Sequence, residues 1–346
     1  MKMKNRILFS AIVWVLANTL LYAQQADQPN TLHTLVPFLT IAPDSRAGGM
    51  GETGVATRPD ANSMHWNPAK YAFAEDNAGL SLSYTPWLRQ YADDVHLSYL
   101  AGYYTLDHRQ KLAASVRYFS FGNVDFTDAG GNALQPYKPR EFAADVAYVR
   151  KFPEYFSLGL AVRYIRSDLG IGVYDGVNVQ PVNAVGADAS LYFSSPVIWG
   201  GHDAVVSAGA NLSNMGLRIT NAANGTSLPT NLRLGASVEY DVDDRNMLGL
   251  AMDVNRLMAW NGAGNGAALW RGLTWGVGAE YGYNDLLHSR LGYFYEHPSH
   301  GNRRFFTVGA GVTYRSFNFD FAYMVPVSNE HPLGKSLRLS IGYCFH

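Results

Sequence analysis

SLRLSIGYCFH, Ser336 to His346, decides the fold. Leu337, Leu339, Ile341, Tyr343 and Phe345 are apolar, and Ser336, Arg338, Ser340, Gly342, Cys344 and His346 alternate with them. Strict period two places the two sets on opposite faces of a strand. One face is greasy and ends in aromatics. The other is polar or tiny.

The pattern recurs through the chain. In REFAADVAYVRK, Phe142, Ala144, Val146 and Tyr148 oppose Glu141, Ala143, Asp145 and Ala147. In NLRLGASVEYD, Leu232 to Tyr240 alternate with Arg233, Gly235, Ser237 and Glu239. GLTWGVGAEYG, FFTVGAGVTYR and RSFNFDFAYM read the same way. Runs of about ten residues have the length of a tilted membrane-crossing strand, against the five or six usual in soluble sheets. The Tyr or Phe at the end of each apolar set marks a membrane interface. A soluble antiparallel sandwich also alternates, but its strands are shorter and its loops are not sorted by length.

Fourteen such strands are expected: 79–85, 95–104, 111–120, 140–150, 155–166, 185–194, 203–212, 231–241, 246–254, 271–281, 287–296, 305–314, 315–324 and 336–345. Their connections alternate long and short, as the outer loops and periplasmic turns of an outer-membrane barrel do. Both ends of the barrel then lie in the periplasm. The fold class is all-β, a 14-stranded antiparallel transmembrane β-barrel.

Composition agrees. The 346 residues carry a net charge of −1, and only 16% are charged, against roughly 25% in an ordinary soluble domain. Aromatics make up 13%, with 22 Tyr and 34 Gly. Nothing forms the clustered positive charge that nucleic acid needs. The single cysteine, Cys344, excludes a disulfide framework and a thiolate metal site, and no cysteine near the N-terminus offers a lipoprotein anchor. At the N-terminus, Lys2, Lys4 and Arg6 precede the apolar run Ile7–Leu21, and Ala23 stands before Gln24. This is the pattern of a secretory signal peptide over 1–23. The expected domains are that peptide, an N-terminal hatch over 24–78 and an outer-membrane barrel over 79–346.

The hatch expectation rests on residues 24–78, which lack strand alternation. A fourteen-strand barrel is too wide for wall side chains alone to fill. Gly48, Gly49, Gly51 and Gly54 permit close approach to a wall, Asp44 and Arg46 are placed to pair with lumen charges, and Asn67-Pro68 is a turn or helix-start signal. Gly49, Gly51 and Gly54 also fit GxGxxG, but no βαβ unit follows, so nucleotide binding is not expected.

Catalytic chemistry is not expected either. No nucleophile motif such as GxSxG organises a serine with histidine and carboxylate. Glu296, His297 and His300 read as a solvated loop, so neither metal nor cofactor is called for. The working surface is instead the outer rim. Trp87, Tyr91, Tyr137, Tyr174, Trp260 and Trp270 lie in or beside long loops, and such residues anchor protein interfaces or sit in the membrane girdle. The stretch 167–184 is unusually apolar for an exposed loop.

VPFLTIAPDSRAGGMGETGVATRPDANSMHWNPAKYAF (36–73), followed by GLSLSYTPWLRQYADDVHLSYLAGYY (79–104), resembles the PorV family, with its PorQ relatives. The motifs that carry the likeness are Arg46–Gly51, Asp60-Ala61, Trp66–Ala69 and Tyr84–Trp87. The resemblance implies a FadL-like barrel with a hatch, to which Arg46, Gly48, Gly49, Gly51, Trp66, Asn67 and Pro68 would belong. It implies a place in the type IX secretion system, without enzymatic activity. The implied partners are the translocon barrel (Sov or SprA), the C-terminal signal domains of cargo, the PorU sortase complex that joins cargo to lipopolysaccharide, and outer-membrane lipid. The competing expectation is a FadL-like transporter of hydrophobic small molecules. The inward-facing Arg233, Glu239, Arg290 and Asp320 oppose it.

Overall fold

A computed structural model describes residues 34–87, 94–124, 136–170, 172–174, 177–216, 227–258, 272–327 and 336–346. The signal-peptide expectation therefore lies outside the described residues. Fourteen strands form one closed antiparallel barrel: β1 (Ala78–Pro86), β2 (Val95–Asp107), β3 (Gln110–Phe121), β4 (Arg140–Phe152), β5 (Phe156–Asp168), β8 (Val182–Trp199), β9 (His202–Gly216), β10 (Asn231–Asp243), β11 (Asn246–Leu257), β12 (Leu273–Tyr283), β13 (Leu287–Glu296), β14 (Arg304–Tyr314), β15 (Phe317–Pro326) and β16 (Leu337–Phe345). A small hairpin, β6 (Gly172–Tyr174) with β7 (Val177–Val179), stands in the loop between β5 and β8. Each barrel strand pairs with its sequence neighbour, and β1 pairs with β16 through Leu82↔Ile341 and Ser83↔Ser340. Closure leaves no strand edge to face hydrocarbon, where an unpaired N–H or C=O costs several kcal/mol.

The alternation seen in the sequence is the alternation of the wall. In β16, Leu339, Ile341 and Phe345 are exposed, whereas Arg338 and Ser340 are buried. Leu160, Val146 and Leu291 are each more than 60% exposed on the outer face. Asp145, Arg163 and Arg290 are at most 6% exposed on the inner one. Tyr104, Tyr148, Tyr281 and Tyr314 stand exposed near the ends of their strands on the short-turn side, as interfacial anchors do.

β8 and β9 outrun their expected lengths the furthest. The segment SPVIWGGH reads as a turn, yet β8 continues to Trp199 and the reversal is made by Gly200 and Gly201 alone, both at positive φ. Pro196 is tolerated because β5 pairs only as far as Phe193, so its missing N–H faces no neighbour on that side. At the other end of this pair the β8–β9 register shifts beside Ala187 and Ala189, with Asn214 in the left-handed region. The extra residue lies in β9, and Asp188, which faces the lumen by the same alternation as Ser190, accepts the Asn214 N–H at 2.7 Å.

The lipid-facing set allows a direct test. Ile341 lies midway along the β1–β16 seam, and Ile341→Arg places a charge at the bilayer midplane. The expected cost is about 2–4 kcal/mol. Reversible denaturant unfolding of protein inserted in lipid vesicles reads it. An Ile341→Arg barrel as stable as wild type would mean that this face does not meet hydrocarbon.

The filled lumen and its outer mouth as candidate functional site

The segment 34–77 runs from the outer mouth to the periplasmic end inside the barrel. It is built from short turns that carry their own caps. Asp44 caps the turn Ser45–Gly49 by accepting the Ala47 N–H at 2.9 Å. Its other oxygen accepts the Trp66 indole N–H at 2.7 Å. Asp44 thus turns into the hatch rather than pairing with the wall, because its two acceptor positions are filled locally. Asn67 caps the turn Pro68–Phe73, with Pro68 at the first position, where no N–H is needed. Its amide also donates to Val55 O at 3.0 Å and to Leu191 O on β8 at 2.8 Å.

The hatch is tied to the wall around the barrel. Ser45 N–H donates to Ser340 Oγ on β16 at 2.9 Å, and that hydroxyl is 2.7 Å from Ser83 Oγ on β1. The hatch therefore bridges the closing seam. Thr307 on β14 holds Gly49 and Gly51, each at 2.9 Å. Asp253 on β11 accepts the N–H groups of Gly54 and Val55. Ser157 on β5 donates to Ala69 O at 2.7 Å. At Gly51 the approach is so close that a Cβ would lie 2.6 Å from Val277 O, and φ is +68°.

Charges follow the same logic. Arg46 donates to both oxygens of Glu280 on β12, at 3.2 and 3.3 Å, and also meets Asp60 at 3.3 Å. Glu280 takes Arg290 as well, and Arg290 reaches Asp320 at 2.5 Å. The carboxylates around Arg46 hold its guanidinium charged despite burial. Arg163 meets Asp145 and Asp188, and Arg338 meets Glu52 at 2.8 Å. Burial pushes Lys70 down to about 8, and its ammonium donates to Gly54 O at 2.8 Å. The lumen is not polar throughout. Phe38 and Leu39 pack with Leu97, Phe119, Ile165 and Leu228 near the outer mouth. Met64 and Tyr71 pack with Tyr99 and Tyr103 on the periplasmic side. Burying such side chains contributes about 1.5–3 kcal/mol each.

One hatch residue joins groups far apart in sequence. His65 is buried, and desolvation with Arg233 and Arg117 alongside lowers its pKa well below the usual value. It is therefore neutral and has one ring acceptor. Nδ1 stands 2.7 Å from Arg117 Nη2, whereas Nε2 is 3.2 Å from Arg233 Nη1. A neutral ring can accept from only one of these two guanidinium groups at a time. Arg233 also donates to the His65 carbonyl at 3.3 Å and lies over the Trp66 ring, 5.0 Å away.

The rim residues fare differently. Trp87 is half-buried against Phe119, with ring centroids 5.5 Å apart, beside the apolar cluster that holds Phe38. Tyr137 bridges Val124 through the backbone, and its hydroxyl donates to Asp168. Tyr174 belongs to the small hairpin. Tyr91, Trp260 and Trp270 lie outside the described residues. The grouping of His65, Arg117 and Arg233 is invisible in the sequence. Arg233 reads as inward, but no spacing links these three, and only closure of the barrel brings them together.

This is a fourteen-stranded outer-membrane barrel of the FadL type with a segment folded into its bore. The toluene transporter TodX of Pseudomonas putida has the same fold, with TM-score 0.52, 13% identity and coverage of 91% of this chain and 98% of TodX. The toluene transporter TbuX of Ralstonia pickettii gives TM-score 0.54 and 14% identity, covering 88% and 98% of the two chains. No curated protein sequence matches. The family model for the type IX secretion system protein PorV matches residues 23–262. The chain belongs to the PorV family, and it is accordingly a non-enzymatic outer-membrane protein of that secretion system.

Gly51→Val tests the seal. Its Cβ meets the wall backbone, and a branched residue at this φ adds about 1–3 kcal/mol of strain. In planar bilayers the wild type is expected to stay closed and the Gly51→Val barrel to show ion-conducting openings. Equal conductance would mean that the Gly49–Gly51 contact does not close the bore.

Proposed function

We propose that this protein is the carrier of the type IX system. It binds the C-terminal signal domain of cargo as it leaves the translocon barrel. It then delivers that cargo to the sortase complex that attaches it to lipopolysaccharide at the surface. The observation that carries this reading is the occupied lumen of a PorV-family barrel. Segment 34–77 hydrogen-bonds to β1's partner β16, to β14, β11, β8 and β5, so the outer face is the surface left for work. Passage of cargo through this bore is not needed. Trp87, Tyr91, Tyr137, Tyr174, Trp260 and Trp270 are the proposed grip at the rim, large aromatic surfaces ordered at small entropic cost.

Transport of hydrophobic small molecules, the activity named for TodX and TbuX, fits less well. It asks for an apolar path. The middle of this bore instead holds Asp145, Asp188, Arg163, Glu280 and Arg290 in paired, buried contact.

Loss of the protein is expected to leave cargo inside the cell with uncleaved signals, seen as a size shift on immunoblots. A pull-down from native membranes is expected to recover the translocon barrel or cargo carrying its signal domain. Recovery of fatty acid or lipid alone would overturn the reading.

A further inference from the structure

The lipid-facing positions of the barrel are apolar almost throughout, and their few charges are unevenly placed. Among the described strands these positions carry Arg140 and Arg150 on β4, Arg166 and Asp168 on β5, Arg256 on β11 and Arg304 on β14. Arginine therefore dominates. Arg140, Arg166, Arg256 and Arg304 stand at the outer end, beside the long loops, and Arg150 alone stands on the periplasmic side. A guanidinium at the end of a membrane strand keeps its charge in the headgroup layer while its stem lies along the apolar wall.

Two of these arginines stand together. Arg140 lies opposite Asp168 and Phe142 opposite Arg166 in the β4–β5 register, so Arg140 and Arg166 are diagonal neighbours on one face. Such neighbours are about 7–8 Å apart, within reach of long side chains. Both are exposed, and Lys138 stands exposed two residues before Arg140. Neither arginine forms an ion pair among the described residues. Asp168 is 6% exposed, and its carboxylate accepts the Tyr137 hydroxyl. Asp94, just before β2, accepts the backbone N–H and the side-chain amide of Asn123, each at 2.7 Å. Like charges side by side repel, and an anion between them removes that cost. Asn183 of β8 lies opposite Arg166. The Tyr164 hydroxyl donates to Asn183 Oδ1 at 2.8 Å, which leaves the amide N–H groups to donate beside the guanidinium. Descending the wall from this cluster come Phe142 and Tyr164, then Val146 and Val162, 62% and 61% exposed. The order is cation, ring and hydrocarbon, the complement of an amphiphile with an anionic head.

We propose that a glycolipid of the outer leaflet docks on the outside of β4, β5 and β8, with a headgroup phosphate held by Arg140, Arg166 and Asn183. Guanidinium forks match phosphate oxygens in bidentate fashion, and basic clusters at membrane depth bind lipid headgroups in this way. The acyl chains then lie along Val146 and Val162. Lipopolysaccharide, with its phosphorylated sugars, supplies such a headgroup at this level of the membrane. The inference needs the long loops to face outward, and it is independent of the carrier reading.

The test is native mass spectrometry of the full-length barrel in detergent, with diphosphoryl lipid A or fully dephosphorylated lipid A added. The phosphorylated lipid is expected to bind at least tenfold more tightly. Arg140→Gln with Arg166→Gln is expected to abolish that preference, and Arg140→Lys with Arg166→Lys to retain part of it. Arg256→Gln with Arg304→Gln is the control, because those two arginines stand singly on separate strands, and it is expected to keep the preference. Inorganic phosphate, which has no acyl chains, is expected to leave the lipid bound at equal concentration. Heat-dependent gel mobility shows which variants still form the closed barrel. Equal binding of the two lipids, or an unchanged preference in a folded Arg140→Gln, Arg166→Gln barrel, would overturn the inference. If that folded variant kept its lipid but no longer recovered the translocon barrel from membranes, the arginines would belong to protein docking instead. Displacement by equimolar inorganic phosphate, or loss of the preference in the Arg256→Gln, Arg304→Gln control as complete as in the test variant, would equally overturn it.

Discussion

Every backbone N–H and C=O that meets hydrocarbon must find its partner within the protein. Pairing of β1 with β16 meets that demand by removing the last free edges. Much else follows from the closure. A closed wall of alternating residues must put its polar set inward, and fourteen strands make a bore that those side chains do not fill. The inward arginines and carboxylates then need partners, and the hatch supplies many of them. Ser45, Arg46, Gly51, Gly54 and Asn67 each bond to a different strand. The hatch is accordingly a part of the barrel's interior.

This arrangement explains why the hatch carries so many caps and glycines. A segment without long helices or strands has few backbone bonds of its own, so its N–H groups must go elsewhere. Asp44 and Asn67 take some of them locally. Asp253 and Thr307 take others from the wall. At Gly51 the wall stands so near that no side chain fits.

Much of the fold is legible in the sequence because period two over a long run has one simple explanation in a charge-poor, exported chain. Leu339, Ile341 and Phe345 on one face and Arg338 and Ser340 on the other are enough to say which side of β16 meets lipid. The lower ends of β8 and β9 are not legible. Pro196 and the Gly200-Gly201 pair signal a break, and only the early end of β5 removes the penalty for proline. The hatch can be located from the sequence but not threaded. Asp44 pairs with Trp66 through a turn of chain that no periodicity announces. The grouping around His65 is least legible, since Arg117 of β3 and Arg233 of β10 meet that ring only after closure.

The central claim is that segment 34–77 is folded inside the closed barrel and joined to its seam. Ser45 and Ser340 have their hydroxyl oxygens 3.0 Å apart, so cysteines at both positions fall within disulfide reach. The most direct measurement is oxidative cross-linking of a Ser45→Cys, Ser340→Cys protein, with Cys344→Ser, in intact outer membranes. A reducible intrachain cross-link, seen as altered mobility of the denatured chain, is the result this account predicts. A membrane-inserted double-cysteine protein that stays reduced would contradict it.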